Sequence, residues 1–448
     1  MKSLIRIFAV MRKEFLQLSR DRLTFGMIVG IPLIQLLMFG YAINTDVRNL
    51  STAYVDESDT HISRQFIADI TASQVIVMKQ RVASVFELEQ LLNAGSISIG
   101  IAIPDDFDRR VLGRDRQAAQ LLVDSDFTVV GVDMNASPDD HAHEVRRIDV
   151  TDTASLGTLF ADVDAVLSCL PYHLNIGVVN VAHAAGIHYF DLTEDVPTTN
   201  HVRKLAETST GLMAPQCGLA PGFVGIVGAD LIEKFDDCRS CKMRVGALPQ
   251  HPTGLMGYAF NWSPAGVVNE YLNDCEVIEN GERKMVSPME WREKIFIGGL
   301  ELEAFTTSGG LGTMCETYLD RVDNMDYKTM RYPGHMDLMN FFFHELLMRE
   351  DREKAGEILI NAKPPVDEDV VYVHVAAEGT INGKLARKEF IGAYKPMMIA
   401  GKSRTVIAWT TAGSVVAVIE MVRAGTLPSS GFLKQEDISL SALLETRT

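Results

Sequence analysis

The chain opens on a helical period. Between Ser3 and Arg22, Leu4, Phe8, Met11, Phe15 and Leu18 fall at alternating steps of four and three, one stripe of a helix, and Arg6, Arg12, Lys13, Arg20 and Arg22 make that helix cationic. A basic amphipathic helix beside an apolar run predicts a segment lying on a membrane surface. The run follows at once, since Leu23 to Ile43 holds no charged residue. As a helix it would extend about 31 Å, the thickness of a bilayer's hydrocarbon layer. Pro32 would kink it without preventing a span. Lys and Arg crowd its N-terminal flank, which places the N-terminus in the cytoplasm and Asn44 onward outside. Residues 44–125 then read as a small α/β segment.

Near Phe127 the period changes. FTVVGVD (127–133) and VRRIDV (145–150) read as strands, and Thr153 to Ala161 as a helix with Asp152 as N-cap. AVLSCLP (165–171) is a strand running into a turn, His173 to Ala185 a helix, HYFDLT (188–193) a strand, and Val196 to Ser209 a helix. The strand GLMAPQCG and the loop LAPG (219–222) follow. Strands alternating with helices at this spacing predict a parallel, doubly wound sheet with ligands at the carboxyl ends of its strands. From Cys238 to about Ile399, RSCKMRVGAL, VYVHVAAEGTI and RKEFIGAY read as strands of an open-faced mixed sheet, with turns at Asn280 and Asn382. Met336 to Leu347 reads as an apolar core helix. Arg404 to Ala424 has the length of a membrane span, but its flanking charges and internal Thr and Ser predict a buried helix packed on the parallel sheet.

Charge reinforces the change of period. The net charge of −17 speaks against a nucleic-acid binder. Residues 1–125 carry equal numbers of basic and acidic side chains, so the whole excess falls on the remainder. All six cysteines also lie there: Cys169, Cys217, Cys238, Cys241, Cys275 and Cys315. Cys238 and Cys241 have CxxC spacing but no second ligand pair, so reduced, mostly buried thiols and no metal are expected.

Asp133 ends the 127–133 strand, where an acid accepts hydrogen bonds from the adenosine ribose and repels a 2′-phosphate. It points to NAD rather than NADP, although a helix cap or turn acid reads equally well there. No strand and no G-x-G-x-x-G turn precede it. Gly95 and Gly100 are wrongly spaced, so the backbone donors and helix dipole that hold a diphosphate are missing. Cofactor affinity is expected to be strongly reduced.

Two resemblances follow. RIFAVMRKEFLQLSRDRLTFGMIVGIPLIQLLMFGYAIN, TAYVDESDTHISRQFI and GIAIPDDFDRR resemble the start of ABC-type export permeases: an elbow helix (1–22), a first membrane span (23–43) and the start of an extracytoplasmic domain (44–125). One span makes no conduit. DAVLSCLPYHLNIGVVNVAHAAGIHYFDLTED, CGLAPGFVGIVGADLI, LEAFTTSGG and YKTMRYPGH resemble the saccharopine dehydrogenase and saccharopine reductase family, especially its lysine 6-dehydrogenase-like members. That resemblance implies a partial Rossmann domain over 126–237, lacking its first strand, Gly-rich loop and first helix. It further implies an inserted substrate domain over 238–400 and C-terminal helices over 401–448. The implied reaction is hydride transfer between NAD(P) and the carbon of an amino acid's C–N bond, with loss of the ε-amino group of lysine as the specific form.

Such a site needs a base, a cationic clamp for the α-carboxylate and a dry face. The resemblance puts the clamp at Arg331, with Lys328 or His335 handling protons, although charge alone reads that stretch as a solvated face. Asp191 and Glu194 would orient the substrate amine, with Glu194 also a candidate for catalysis. Thr307 and Ser308 would offer donors to the substrate. Ser168, Leu170 and Pro171 would border the cofactor, and Gly218, Pro221 and Gly222 would flank the nicotinamide. A homodimer is an open expectation. The two parts disagree about location, membrane-associated against cytoplasmic in type, which points to a recombined chain. The alternative is a membrane-anchored, non-catalytic protein carrying a ligand-binding α/β domain.

Overall fold

The computed structural model describes residues 50–56, 76–103, 115–134, 143–399 and 401–447, with isolated positions at 12, 13, 63, 67, 70 and 71. Arg12 and Lys13 are helical, and the rest of the expected amphipathic helix and membrane segment lies outside the described residues. The chain divides into two compact units, residues 1–108 and 109–448.

In the first unit, β1 (Leu50–Asp56), β2 (Ile76–Arg81) and β3 (Ile99–Ile103) form a parallel sheet in the order β2-β1-β3. Helix α1 (Val85–Asn93) begins at Ser84, whose hydroxyl accepts from Glu87 N. Its Leu88 joins Ala53, Val55, Val82 and Ile97 in a small core.

The second unit begins with α2 (Asp115–Asp124), then β4 (Val130–Val132), β5 (Glu144–Arg146) and α3 (Thr153–Phe160). There follow β6 (Ala165–Ser168), α4 (Tyr172–Ala185), β7 (His188–Asp191), α5 (Val196–Ala206), β8 (Leu212–Ala214) and α6 (Phe223–Ile232). Asp152 caps α3 through Ala154 N and Ser155 N, as its sequence predicts. The strands at 127–133 and 145–150 are shorter than expected, three residues each.

The sheet is parallel throughout but it is not continuous. Among the described residues β6, β7 and β8 pair in order, whereas β4 pairs with β5 in a separate ladder. In the doubly wound order 3-2-1-4-5-6, β5 and β4 are strands three and two, and β6 is strand four. The break falls where strand one belongs, and among the described residues no strand lies there.

Helix α2 corrects the expected boundary and the expected loss of the first helix. Leu121 and Leu122 pack with Phe127 onto the core that holds Val415, Val418 and Ile419 of the long C-terminal helix. Arg423 donates to Ser125 O at 2.9 Å and stacks on the Phe127 ring at 4.0 Å. The charge step sits near 125, but packing, which is not visible in charge, assigns residues 115–124 to the enzyme-like unit.

A larger mixed sheet follows. It is built from β9 (Asp237–Pro249), β10 (Cys275–Glu279), β11 (Glu282–Val286), β12 (Glu293–Ile297), β13 (Leu300–Thr306), β14 (Val322–Arg331), β15 (Asp369–Ile381) and β16 (Lys384–Tyr394). Its spine runs β11-β10-β14-β9-β15-β16, with β13 on β14 and β12 on β13. Helix α7 (Pro264–Leu272) starts with Ser263 as N-cap and Pro264 just inside. The expected apolar helix runs as α8 (His335–Asn340) and continues as a π-turn over Phe341–Glu345. Among the described residues one helix, α9 (Val406–Arg423), is long and apolar enough to cross a membrane, and 78% of it is buried inside the protein. Asp369, at the head of β15, caps it by accepting from Val406 N and Ile407 N at 3.0 Å or less. Cys238 and Cys241 are buried on β9, and burial pushes both thiols up.

Candidate substrate and dinucleotide site

Beyond the carboxyl end of β7 the chain packs against the mixed-sheet lobe inside the second unit. Asp191 sits there fully buried. Its Oδ1 accepts from Thr193 N at 3.0 Å and Gln216 N at 2.9 Å, and its Oδ2 accepts from the Tyr189 hydroxyl at 2.9 Å. Burial pushes its carboxyl up to about 6, against the three hydrogen bonds, which lower it. Asp191 therefore knots β7 to the turn after β8, and Gln216 holds a left-handed φ of 64° in that knot.

The folded-state value exceeds the unfolded one, so the folded chain binds the extra proton between pH 4 and 6. This group's contribution is full below pH 4 and falls as pH rises to about 6, a loss on the order of 3 kcal/mol. Asp191→Asn keeps both main-chain donors satisfied and lets the Tyr189 hydroxyl turn to accept. We expect the variant to lose this slope in denaturant unfolding between pH 4.5 and 7.5, and to match or exceed the parent at pH 7.5. A variant less stable than the parent at pH 7.5 would contradict the account.

Glu194 lies in the loop after β7, against the mixed-sheet lobe. A Cβ added at Gly266 would come within 3.0 Å of Glu194 Oε1 and 2.6 Å of the Trp262 ring. One added at Gly309 would come within 2.8 Å of Glu194 O. The glycines let the TTSGG loop and the start of α7 close on Glu194. Ser308 is fixed there through its N–H to Glu270 O at 3.0 Å, and Thr307 is 2% exposed beside it. The structure thus brings Glu194, Thr307 and Ser308 together.

Arg331 and His335 join through a residue that the sequence did not single out. Arg331 Nε donates to Tyr271 Oη at 2.8 Å, and its guanidinium lies 4.7 Å from the centre of the Tyr258 ring. His335 Nδ1 faces Met256 O at 3.0 Å, an acceptor only, so that nitrogen carries the proton. Nε2 then accepts from the Tyr271 hydroxyl at 3.1 Å. Burial and the Arg331 charge push His335 down to about 3. In this arrangement the imidazole is neutral and braces Tyr271.

Lys328 departs from this group. It stands three residues from Arg331 on β14, in unbroken register with β13, so the two side chains leave opposite faces of the sheet. Lys328 Nζ donates to Trp291 O at 2.7 Å and Glu293 Oε2 at 3.0 Å. It lines a cavity of about 750 Å³ with Arg244 and Asp326 on the far face. A one-residue parity, not charge or composition, decides this, and the expectation that Lys328 works beside Arg331 fails on it.

The dinucleotide half is mixed. Ser168 Oγ donates to Asn175 Oδ1 at 2.7 Å, and Pro171 stands before α4. Leu170 packs on the α3–α4 core. Gly218 and Gly222 form an isolated bridge around the Ala220–Pro221 peptide. Gly222 has φ 127°, and a Cβ there would collide with Gly218 O, so only glycine fits. Asp133 follows β4, its N–H donating to Arg146 O at 3.3 Å. The acid at the end of β4 and the 218–222 loop are both present. Among the described residues no Gly-rich turn precedes Asp133.

A broken parallel sheet joined to a mixed substrate lobe defines a two-domain α/β oxidoreductase scaffold. A family model described as the saccharopine dehydrogenase C-terminal domain matches residues 218–445, and one described as the saccharopine dehydrogenase NADP binding domain matches residues 105–214. The chain belongs to the saccharopine dehydrogenase family. A third model, of ABC-2 family transporter proteins, matches residues 22–142 and marks the N-terminal part as membrane-associated. The transporter and NADP-binding matches overlap over residues 105–142, which places the join of the two sequences in that interval.

A mitochondrial alpha-aminoadipic semialdehyde synthase of Rattus norvegicus is 23% identical over 62% of this chain and 29% of its own length. A saccharopine dehydrogenase (NADP+, L-glutamate-forming) of Schizosaccharomyces pombe is 25% identical over 30% of this chain and 31% of its own. The chain thus spans less than a third of these curated relatives. An apo saccharopine dehydrogenase (L-Glu forming) structure from Saccharomyces cerevisiae aligns with a TM-score of 0.52 at 14% identity, over 87% of this chain and 94% of that one, and shows a shared fold.

Proposed function

We propose that residues 115–447 form an amino-acid-binding oxidoreductase scaffold of the lysine 6-dehydrogenase-like kind, with dinucleotide binding impaired at the diphosphate. The observation that carries this reading is Arg331. It is a guanidinium 2% exposed whose partners are a phenol oxygen, a main-chain carbonyl and two aromatic faces. Buried Glu270 acts on this cation through its charge, but among the described residues no carboxylate is in hydrogen-bond contact with it, which leaves it suited to receive one. Tyr271 and His335 hold it in place. Glu194, in contact with Gly309, would orient the amine, and Ser308 and Thr307 would wall the cleft from water.

Residue Asp133 supports NAD over NADP, although the matched family model is described as NADP-binding. The residues present do not complete that site, and no hydride step follows from them. The missing turn equally supports a chain that binds an amino acid without turnover, anchored by its N-terminal part.

Isothermal titration of the full chain in detergent with L-lysine tests the reading. Saturable binding is expected at about millimolar Kd or below, and n-hexylamine, which lacks the α-carboxylate, should bind at least tenfold more weakly. Equal affinity for both compounds, or no binding of either, would end the proposal.

A further inference from the structure

Two guanidiniums meet beside the core of the substrate lobe with no acid to neutralise them. Arg349 and Arg352 line a cavity of about 520 Å³ together with His344, Tyr271, Met289 and Glu290. Arg352 Nη1 donates to Asn269 Oδ1 of α7 at 3.1 Å and to Asn273 Oδ1 at 2.9 Å. Arg349 Nη1 donates to His344 Nδ1 at 3.0 Å. A guanidinium only donates, so Nδ1 accepts and Nε2 carries the imidazole proton as a further donor. Among the described residues neither guanidinium is in an ion pair, and Glu290 joins neither of them. Two cations against one carboxylate leave the cavity with a positive excess. Tyr271 is shared with the Arg331 group, but Arg331 itself does not line this cavity.

The backbone is bent on both walls. The π-turn over Phe341–Glu345 carries His344, and Leu347, between His344 and Arg349, holds a left-handed φ of 58°. On the other wall Met289 holds a left-handed φ of 53° beside Glu290. Leucine and methionine are strained in that region, and such strain, like a π-turn, gathers at ligand sites. Arg352 opens the helix Arg352–Ala362, where the helix dipole disfavours a cation. Strain and charge are thus both held here against local preference.

We propose that this cavity binds a small phosphate-bearing molecule, with its dianion held by Arg349, Arg352 and His344. One carboxylate occupies a single guanidinium fork, whereas a tetrahedral dianion has oxygens enough for two forks and an imidazole N–H. Leu272, Pro288 and Met289 give the rest of the cavity an apolar wall for the organic part of an ester. Free phosphate and a phosphate ester share this chemistry. The inference does not require the amino-acid-binding reading.

Isothermal titration of the full chain in detergent, at constant ionic strength and without amino acid, uses inorganic phosphate and glycerol phosphate as the two probes. We expect saturable binding of at least one at about millimolar Kd, with the tighter probe showing which source the cavity takes. Arg349, Arg352 and Glu290 are exposed, so their replacement leaves the core untouched. Arg349→Gln and Arg352→Gln should each weaken binding by about tenfold. Glu290→Gln should tighten it by about threefold, because a like charge is removed. Arg239→Gln, an exposed cation on β9, should leave it unchanged. No saturation of either probe, an Arg239→Gln loss equal to that of Arg352→Gln, or tighter binding of succinate than of both phosphates would overturn the proposal. So would competitive displacement of phosphate by L-lysine, since the cavity and the Arg331 group would then be one site.

Discussion

Arg331→Met weakens amino-acid binding by one to two orders of magnitude while leaving the folded chain about as stable as the parent, or more so. Burying a guanidinium carries a desolvation cost, which its hydrogen bonds to Tyr271 and Met330 O and the charge of Glu270 offset, so removing cost and compensation together leaves little net change. Methionine has similar reach and no charge, and the Tyr271 hydroxyl keeps its bond to His335 Nε2. Stability in a denaturant titration should therefore change by less than about 1 kcal/mol, or rise, as seen when buried ions give way to apolar residues of like volume. Affinity for L-lysine should fall about 10- to 100-fold, the worth of a charge-assisted carboxylate pair. A purely structural Arg331 gives the opposite pattern, with stability lost by several kcal/mol and ligand affinity untouched.

Inserting a strand, a G-x-G-x-x-G turn and one helical turn ahead of Asp115 raises dinucleotide affinity by about a hundredfold or more. Diphosphate carries two negative charges, and a helix N-terminus with its Gly-rich turn offers several aimed N–H donors and a favourable dipole. Charge-assisted hydrogen bonds are each worth about 1.5–3 kcal/mol, so two suffice for that factor. The insert would also bridge β4 and β6 and make one continuous sheet. In this variant NADH should bind more tightly than NADPH if Asp133 meets the ribose hydroxyls. A tighter NADPH would reverse that preference. Affinity unchanged by the insert would mean that the diphosphate is held elsewhere.

Much of the dinucleotide half could be read from the sequence because its signals are local. The Asp152 cap, the turns after β6 and β7 and the glycines of the 218–222 loop are all set by neighbours in sequence, and the structure places them in the expected elements. The position of α9 could also be read, because a run of its length with internal Thr and Ser is better satisfied by a protein core than by lipid.

The substrate half was less legible for one reason: its contacts are made across strands. Arg331, Tyr271 and Tyr258 meet only after β14 and α7 pack together, and no spacing in the sequence links positions 258, 271 and 331. Lys328 and Arg331 looked like one group because they are close in sequence, whereas strand parity sends them to opposite faces. Helix α2 was hidden for another reason. Its apolar stripe is short, and its partner, α9, lies nearly three hundred residues downstream.

We propose that this chain carries the family's scaffold without the means to hold a dinucleotide's diphosphate. Titration of the unaltered full chain in detergent with NADPH and NADH, followed by nicotinamide fluorescence, tests it most directly. The account predicts no saturable binding of either below about 1 mM, where only about 4 kcal/mol of affinity remains. Saturation of either cofactor at about 10 µM or less would contradict it.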